Sequence, residues 1–213
     1  CKKIDTYREN LLNDRLKISN TKVLKSKLRI IHITNFNERH NGRLFFNTGK
    51  RINNGLVRLN HSVLEFSDRD ILSNHRKLND LNGSKYLNKK LLAVVGNYMP
   101  DLIILGHADL IDIKTLKTIK TFYPQIRISQ WFLDRMDSSW KLNKKRFLDK
   151  IEVMDASFCT TDPGVLKFPK IKPIYYIPNP VDKSFETLNN YKYKNFKNDV
   201  FFAMSHGVHR GVL

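Results

Sequence analysis

Ile174-Tyr-Tyr-Ile-Pro-Asn-Pro-Val-Asp182 divides this sequence into two parts. An apolar run ends there at two prolines, and a polar connector over residues 183–198 follows. Proline has no backbone N–H to donate, so a strand has to end at this point. Residues 199–213 then begin a further apolar strand. We therefore expect one complete domain over residues 28–182 and the start of a second domain after the connector.

The domain before this stretch has the pattern of a parallel α/β fold. Its strands are predicted by apolar and β-branched segments at residues 28–33, 62–66, 101–106, 126–132, 156–160 and 174–177. Most segments between them carry the apolar spacing of helices. Strands that alternate with helices imply right-handed crossovers and helices on both faces of the sheet. We expect a doubly wound, Rossmann-like sheet.

Three further segments have distinct patterns. Residues 1–27 are predicted to form a leading helix, over residues 2–18, followed by a basic linker. Residues 43–59 are predicted to form a helix that follows directly on Asn41-Gly42. Residues 67–82 are rich in Asp and Asn, which predicts a polar loop.

Charge and cysteine content indicate which partners and which cellular compartment suit the protein. The 38 Lys and Arg against 20 Asp and Glu give a net charge of +18, which suits nucleic acid, an anionic membrane or a phosphorylated substrate. A solvated surface with a compositional bias toward Lys explains the charge equally well. Cys1 and Cys159 form no disulfide framework, so we expect a cytoplasmic protein. Its apolar runs are far shorter than the roughly 20 residues of a membrane span.

Ligands of doubly wound sheets bind beyond the carboxyl ends of the strands, near the point where strand order reverses. The candidate residues selected by this rule lie from Asn35 to Arg43 after the first strand (Asn35, Asn41, Gly42 and Arg43 above all), at His107 after the third, from Asp134 to Asp137 after the fourth, from Thr160 to Asp162 after the fifth and at Asn179 after the sixth.

Two of these candidates suit proton transfer. A histidine titrates near neutral pH, so His107 is a candidate acid, base or hydrogen-bond donor. Asp134 follows an aromatic strand end, where a carboxylate could accept a proton from a hydroxyl nucleophile. A structural hydrogen bond for His107 and a loop-capping role for Asp134 remain open alternatives, as does a purely structural turn at Gly42.

Motifs of other α/β enzymes are missing from the sequence. It contains no Gly-x-Gly-x-x-Gly fingerprint, no Walker A pattern and no Gly-x-Ser-x-Gly elbow. Without the glycine fingerprint, a sugar-nucleotide epimerase is disfavoured. His206 and His209 lack a third ligand nearby, so no metal site is expected.

Four segments resemble glycosyltransferases of the GT-B fold, a class with two Rossmann-like domains. They are the opening strand with its Asn41-Gly42 loop, Ser129-Gln-Trp-Phe-Leu-Asp134, Ala156-Ser-Phe-Cys-Thr160, and Ile177-Pro-Asn-Pro-Val-Asp182 followed by Phe185. The resemblance is closest to glycosyltransferases of families one and four and to spore-maturation-like relatives. Pro180 stands where the family usually has glycine.

The resemblance implies that residues 28–182 are the acceptor-binding N-terminal half and residues 183–198 the interdomain connector. Residues 199–213 would open a truncated nucleotide-sugar domain, so the fragment alone would be inactive. Asn41, Gly42 and Arg43 would face the cleft, with His107 and Asp134 contacting the acceptor or acting as base. The residues implied to hold the donor diphosphate are His206, Gly207 and Arg210.

The substrates implied by the resemblance are a nucleotide-sugar donor and a glycan or lipid-linked acceptor, with no cofactor and no metal. Basic helices would hold the enzyme against anionic lipid on the cytoplasmic face of a membrane, in the synthesis of a cell-surface glycan. The alternative is a non-catalytic basic α/β module that binds nucleic acid or an acidic partner. No helix-turn-helix, RNP or zinc-finger pattern supports nucleic-acid binding.

Overall fold

The computed structural model describes residues 27–76, 80–81, 83–137, 140–168, 172–187, 192 and 194–195. Its strands form one parallel sheet in the order β2-β1-β3-β4-β5-β6. The strands are β1 (Arg29–Thr34), β2 (Ser62–Ser67), β3 (Leu102–Gly106), β4 (Arg127–Phe132), β5 (Ala156–Cys159) and β6 (Ile174–Tyr176). The sheet is flanked by helices, which confirms the predicted α/β class and the doubly wound, Rossmann-like fold.

The helices connect successive strands. They are α1 (Thr48–Arg58), α2 (Asp68–Asn74), α3 (Ser84–Tyr98), α4 (Ile113–Phe122), α5 (Lys141–Leu148) and α6 (Pro163–Leu166), with single 3₁₀ turns at Glu38–His40 and Ile151–Val153. The predicted helix over residues 43–59 was wrong at its start, because Asn47 caps α1 and the helix begins at Thr48. The predicted loop over residues 67–82 was wrong at its start too, because it contains α2. Asp68 and Asp70 in its first turn favour a helix N-terminus.

The main apolar core lies on one face of the sheet, against α3 and α4. The buried strand side chains on this face are isoleucine or leucine, with Phe66 of β2, as is typical of a parallel sheet covered on both faces. The principal members are Ile31, Ile33, Ile103, Leu105 and Ile128 of the sheet, Leu87, Leu91 and Val95 of α3, and Leu116 and Ile119 of α4. A smaller apolar cluster continues toward β5 around Phe132 and Phe147.

Helix α1 packs on the other face, where His32 of β1 contacts Asn53. After β6 the chain returns to this helix. Asp182 is buried and its carboxylate forms two hydrogen bonds with Arg58, at 2.5 and 3.0 Å, which hold the pKa of Asp182 well below its usual range. The ring of Phe185 packs on Phe46, with 5.0 Å between centroids. The segment that ends the domain is therefore anchored to α1.

The predicted leading helix, half of the connector and the predicted strand after it lie outside the described residues. In the part of the chain that is described, no helix has the length and apolar character needed to cross a membrane.

Candidate active site

A cleft of about 430 Å³ opens at the carboxyl end of the sheet, between β1 and β3. These two strands are neighbours, but β1 connects onward to β2 on one side and β3 connects to β4 on the other. The connections therefore diverge and leave a crevice, as at the ligand sites of doubly wound proteins. The volume of the cleft is in the usual range for small-molecule sites.

The first turn of α1 forms one wall of the cleft. Oδ1 of Asn47 caps the helix by accepting a hydrogen bond from the Lys50 backbone N–H at 3.0 Å. A Cβ on Gly49 would lie 2.6 Å from Cγ2 of Thr34, so only glycine lets the helix approach the end of β1 this closely. Thr48 and Gly49 line the cleft, and as first-turn residues of α1 they have N–H groups with no acceptor within the helix.

Trp131 of β4 also lines the cleft, although its side chain is nearly buried. Its indole lies over Gly106, the residue beside it in β3. A Cβ on Gly106 would lie 2.0 Å from Cζ2 of Trp131, so any side chain there would displace the indole. Nε1 of Trp131 donates a hydrogen bond to Nε2 of His32 at 3.2 Å. Gly106 and His32 together fix the position of the indole.

His32 begins a buried chain of hydrogen bonds. Because its Nε2 accepts from Trp131, the neutral ring carries its proton on Nδ1, which lies 3.4 Å from Oδ1 of Asn53. Asn53 in turn donates to Oε1 of Glu65 at 2.7 Å, and Nζ of Lys50 lies 2.5 Å from Oε2 of the same carboxylate. Burial lowers the pKa of His32 to about 4, so the ring is uncharged at neutral pH. The chain ties α1 to β1 and β2.

His107 occupies the first position after β3, in the left-handed region with φ of 51°. Its Nε2 accepts a hydrogen bond from the Leu133 backbone N–H at 3.1 Å, and its ring stacks on Phe132 at 4.2 Å between centroids. Burial lowers the pKa of His107, and the charge of Asp134 opposes this shift. The neutral ring therefore carries its proton on Nδ1, where it can donate a hydrogen bond.

Asp134 lies beside this donor, with its Oδ2 3.6 Å from Nδ1 of His107. Its side chain is 53% exposed and lines the cleft. An accessible carboxylate next to a fixed N–H donor can accept a proton while the donor orients the group that loses it. In this arrangement Asp134 is the base candidate. His107 is not, because its unprotonated nitrogen is already occupied by a backbone N–H.

Two arginines line the same cleft and are joined by one carboxylate. Arg146, at the end of α5, donates from Nη2 to Oδ2 of Asp109, in the turn after β3. Nη2 of Arg69, in the first turn of α2, lies 3.7 Å from the same oxygen. Nζ of Lys150 donates to the Ala108 carbonyl at 2.7 Å, which holds the turn that carries Asp109.

The structure brings together three of the site residues predicted from the sequence, since Asn35, His107 and Asp134 all line the cleft. Asn41, Gly42 and Arg43 are exposed and do not line it, because the helix they were expected to precede begins later, at Thr48. Asn179 is exposed beyond β6 and does not line it either. The implied donor-binding residues His206, Gly207 and Arg210 lie outside the described residues.

Sequence reasoning missed four residues that shape the cleft: Gly49, Arg69, Trp131 and Arg146. Arg69 had a usable signal, because it follows the carboxyl end of β2, the one strand end left out of the candidate list. Trp131 was quoted only as part of an aromatic strand end. Arg146 lies in the last turn of a helix, and nothing in the local sequence points to a cleft.

Neither a metal site nor a reactive thiol is evident in the described ranges. Their His, Cys, Asp and Glu side chains include no group of three that could hold a metal ion. Burial raises the pKa of the Cys159 thiol to about 11, so the thiol stays protonated at neutral pH and is a poor nucleophile.

Comparisons with known proteins do not identify a family. No protein-family model matches the chain, and no curated protein matches it.

Proposed function

We propose that this chain is the acceptor-binding half of a GT-B glycosyltransferase, which transfers a sugar from a nucleotide-sugar donor to a glycan or lipid-linked acceptor. The observation that carries the proposal is the accessible carboxylate of Asp134 beside the neutral, proton-donating ring of His107. Both lie in a cleft at the switch point of a doubly wound sheet. The resemblance of the strand-end segments to this class supports the same assignment.

In the proposed reaction, an acceptor hydroxyl lies between Asp134 and the donor sugar. The hydroxyl loses its proton to the Asp134 carboxylate as its oxygen attacks the anomeric carbon. The bond from that carbon to the diphosphate breaks, and the nucleoside diphosphate leaves with the electron pair. The Nδ1–H of His107 orients the attacking oxygen. Asn35, which lines the same cleft, offers an amide for a further acceptor hydroxyl.

We also place the enzyme at the cytoplasmic face of an anionic membrane, where a lipid-linked acceptor would be found. The net charge of +18 supports this placement, as do the exposed side chains of Leu44, Phe45 and Phe46 beside Arg43. Sedimentation with phosphatidylglycerol vesicles tests it. Binding should weaken in Phe46→Ser but not in Leu142→Ser, which removes an equally exposed apolar side chain from α5. Equal binding to neutral phosphatidylcholine vesicles would contradict the placement.

The central experiment is a screen of the full-length gene product against a panel of nucleotide sugars, with release of nucleoside diphosphate as the readout. Asp134→Asn should lower turnover by about 10²-fold or more. Glu152→Gln is the matched control, because it removes a carboxylate of similar exposure that pairs with Lys117 on the surface. The absence of turnover with every donor, together with tight, salt-sensitive binding to nucleic acid, would overturn the proposal in favour of a binding module.

A further inference from the structure

The cleft contains cationic groups that the proposed sugar transfer does not use. Arg69 and Arg146 both line it, and the other ionised side chain that lines it among the described residues is Asp134. Arg69 and Arg146 come from α2 and α5, which are distant in sequence. The fold therefore gathers two guanidinium groups at one small-molecule site.

The two arginines share a single carboxylate. Oδ2 of Asp109 receives a hydrogen bond from Nη2 of Arg146 and is 3.7 Å from Nη2 of Arg69, so this carboxylate connects the two side chains. Asn143 accepts a second hydrogen bond from Nη1 of Arg146 at 3.4 Å. Side chains that are already held in place lose less conformational entropy when a ligand binds.

Most of the donors on these guanidinium groups have no hydrogen-bond partner among the described residues. A guanidinium has five N–H donors. Within the described residues, the Arg69 side chain makes only the 3.7 Å ion pair, which is too long for a hydrogen bond, and 44% of its surface is exposed. Thr48 and Gly49 at the N-terminus of α1 line the same cleft, and the dipole of a helix N-terminus favours anions.

We infer that Arg69 and Arg146 bind an oxyanion, so that the ligand of this cleft is a sugar carrying a phosphate or carboxylate group. Planar guanidinium groups match the oxygens of both anions and bind them through paired hydrogen bonds. The inference rests on the proposed function only in naming the sugar as the acceptor. The acceptor hydroxyl would lie at Asp134 and the anionic group at the two arginines.

Isothermal titration of the full chain tests this inference with glucose 6-phosphate, glucuronate and unmodified glucose as probes. We expect one or both anionic probes to bind, and glucose to bind at least about tenfold more weakly. Binding of the phosphate alone identifies a phosphorylated sugar, and binding of glucuronate alone identifies an acidic one. Failure of both anionic probes to bind, or equal binding of glucose, would overturn the inference.

Variants of the two arginines test whether they bind the anionic probe. Arg69→Gln and Arg146→Gln should each weaken binding of the anionic probe by about tenfold or more, whereas Arg69→Lys should retain part of the affinity. Arg127→Gln is the matched control, because Arg127 is an exposed arginine at the amino end of β4 that pairs with Asp155. Equal losses in all the glutamine variants would indicate non-specific attraction to a basic protein and overturn the inference. Because no nucleotide sugar is present, a failure of sugar transfer leaves this binding result standing.

Discussion

Two histidines contact the same indole, and their surroundings differ in one respect. His32 and His107 both lie near Trp131, with 6.1 and 5.4 Å between ring centroids, and burial lowers the pKa of both. Both nitrogens of His32 face protein groups in a closed chain. Nδ1 of His107 instead faces an exposed carboxylate in a cleft. A perturbed histidine therefore becomes a candidate for chemistry only when one of its nitrogens is accessible.

The same difference extends to the charged groups around each ring. Near His32, the chain through Asn53 and Glu65 ends at Lys50, and each member has a hydrogen-bond partner. In the cleft, Arg69 makes no hydrogen bond through its side chain to any of the residues that the structure describes, and Asp134 is exposed. Satisfied polar chains stabilise one arrangement of a fold, whereas open donors remain available for a ligand.

Replacing His32 should give the largest loss of stability. His32→Leu leaves the Trp131 indole N–H and Oδ1 of Asn53 without partners in a buried site, and each orphaned group costs about 1–3 kcal/mol. We expect the free energy of unfolding to fall by about 4 kcal/mol in urea denaturation. A loss below about 1 kcal/mol would show that the buried chain is not structural.

The dependence of stability on pH should distinguish His32 from Asp68, a second buried ionisable residue. Burial raises the pKa of Asp68 to about 6, so the penalty for its ionisation disappears as the pH falls from 6 toward the unfolded value. The contribution of His32 to stability changes with pH in the opposite direction. Its folded pKa of about 4 lies below the unfolded value, so its protonation destabilises the fold below about pH 6.5.

The two effects should therefore oppose each other between pH 6.5 and 4. Asp68→Asn removes the ionisation penalty, which should stabilise the protein at pH 7 by at most about 3 kcal/mol and leave stability falling more steeply with acid. His32→Leu should shift the slope the other way. Urea denaturation at pH 7, 5.5 and 4.5 measures both slopes. Parallel slopes in the two variants would refute the assignment.

The equivalent change at His107 should affect activity rather than folding. His107→Asn keeps a residue that tolerates positive φ but removes the Nδ1–H donor. We expect turnover in the nucleotide-sugar assay to fall about 10²-fold, as when a single transition-state donor is lost, and the free energy of unfolding to fall by less than in His32→Leu, because the Leu133 N–H that loses its partner belongs to a half-buried residue. A large loss of stability with unchanged turnover per folded molecule would place His107 with His32 as a structural residue.

A variant of Gly106 tests the packing of the Trp131 indole, which both histidines contact. Gly106→Ala places a methyl group within 2.0 Å of Trp131 Cζ2, so the indole must move and its hydrogen bond to His32 must lengthen. We expect a loss of about 2 kcal/mol, with a change in tryptophan fluorescence. Gly55→Ala in α1 is the control, because a Cβ there meets no atom within 4 Å. Destabilisation of both variants by the same amount would contradict this packing.

The strands could be predicted because each is a short apolar segment with a polar boundary, and the central strands β1, β3 and β4 carry buried isoleucines. The start of α1 could not, because Leu44, Phe45 and Phe46 continue the apolar spacing of a helix. Phe45 and Phe46 instead contact Phe185, which is distant in sequence. The Asn47 cap was the local signal that sets the boundary.

The site was predictable in part, and for a similar reason. His107 and Asp134 directly follow strands, so the rule for parallel sheets locates them from sequence alone. Arg146 reaches the cleft from a helix, and only the tertiary packing of α5 brings it there. The tautomer of His107 depends on the Leu133 backbone N–H, a contact that sequence patterns do not encode.

The most direct test of the difference between the two histidines is long-range ¹H–¹⁵N NMR of their ring nitrogens at pH 7. We predict that both rings are neutral with the proton on Nδ1, and that glucose 6-phosphate shifts the His107 resonances while leaving those of His32 in place. A proton on Nε2 of His107, or a response to the ligand at His32 alone, would contradict the assignment of His107 to the site and His32 to the fold.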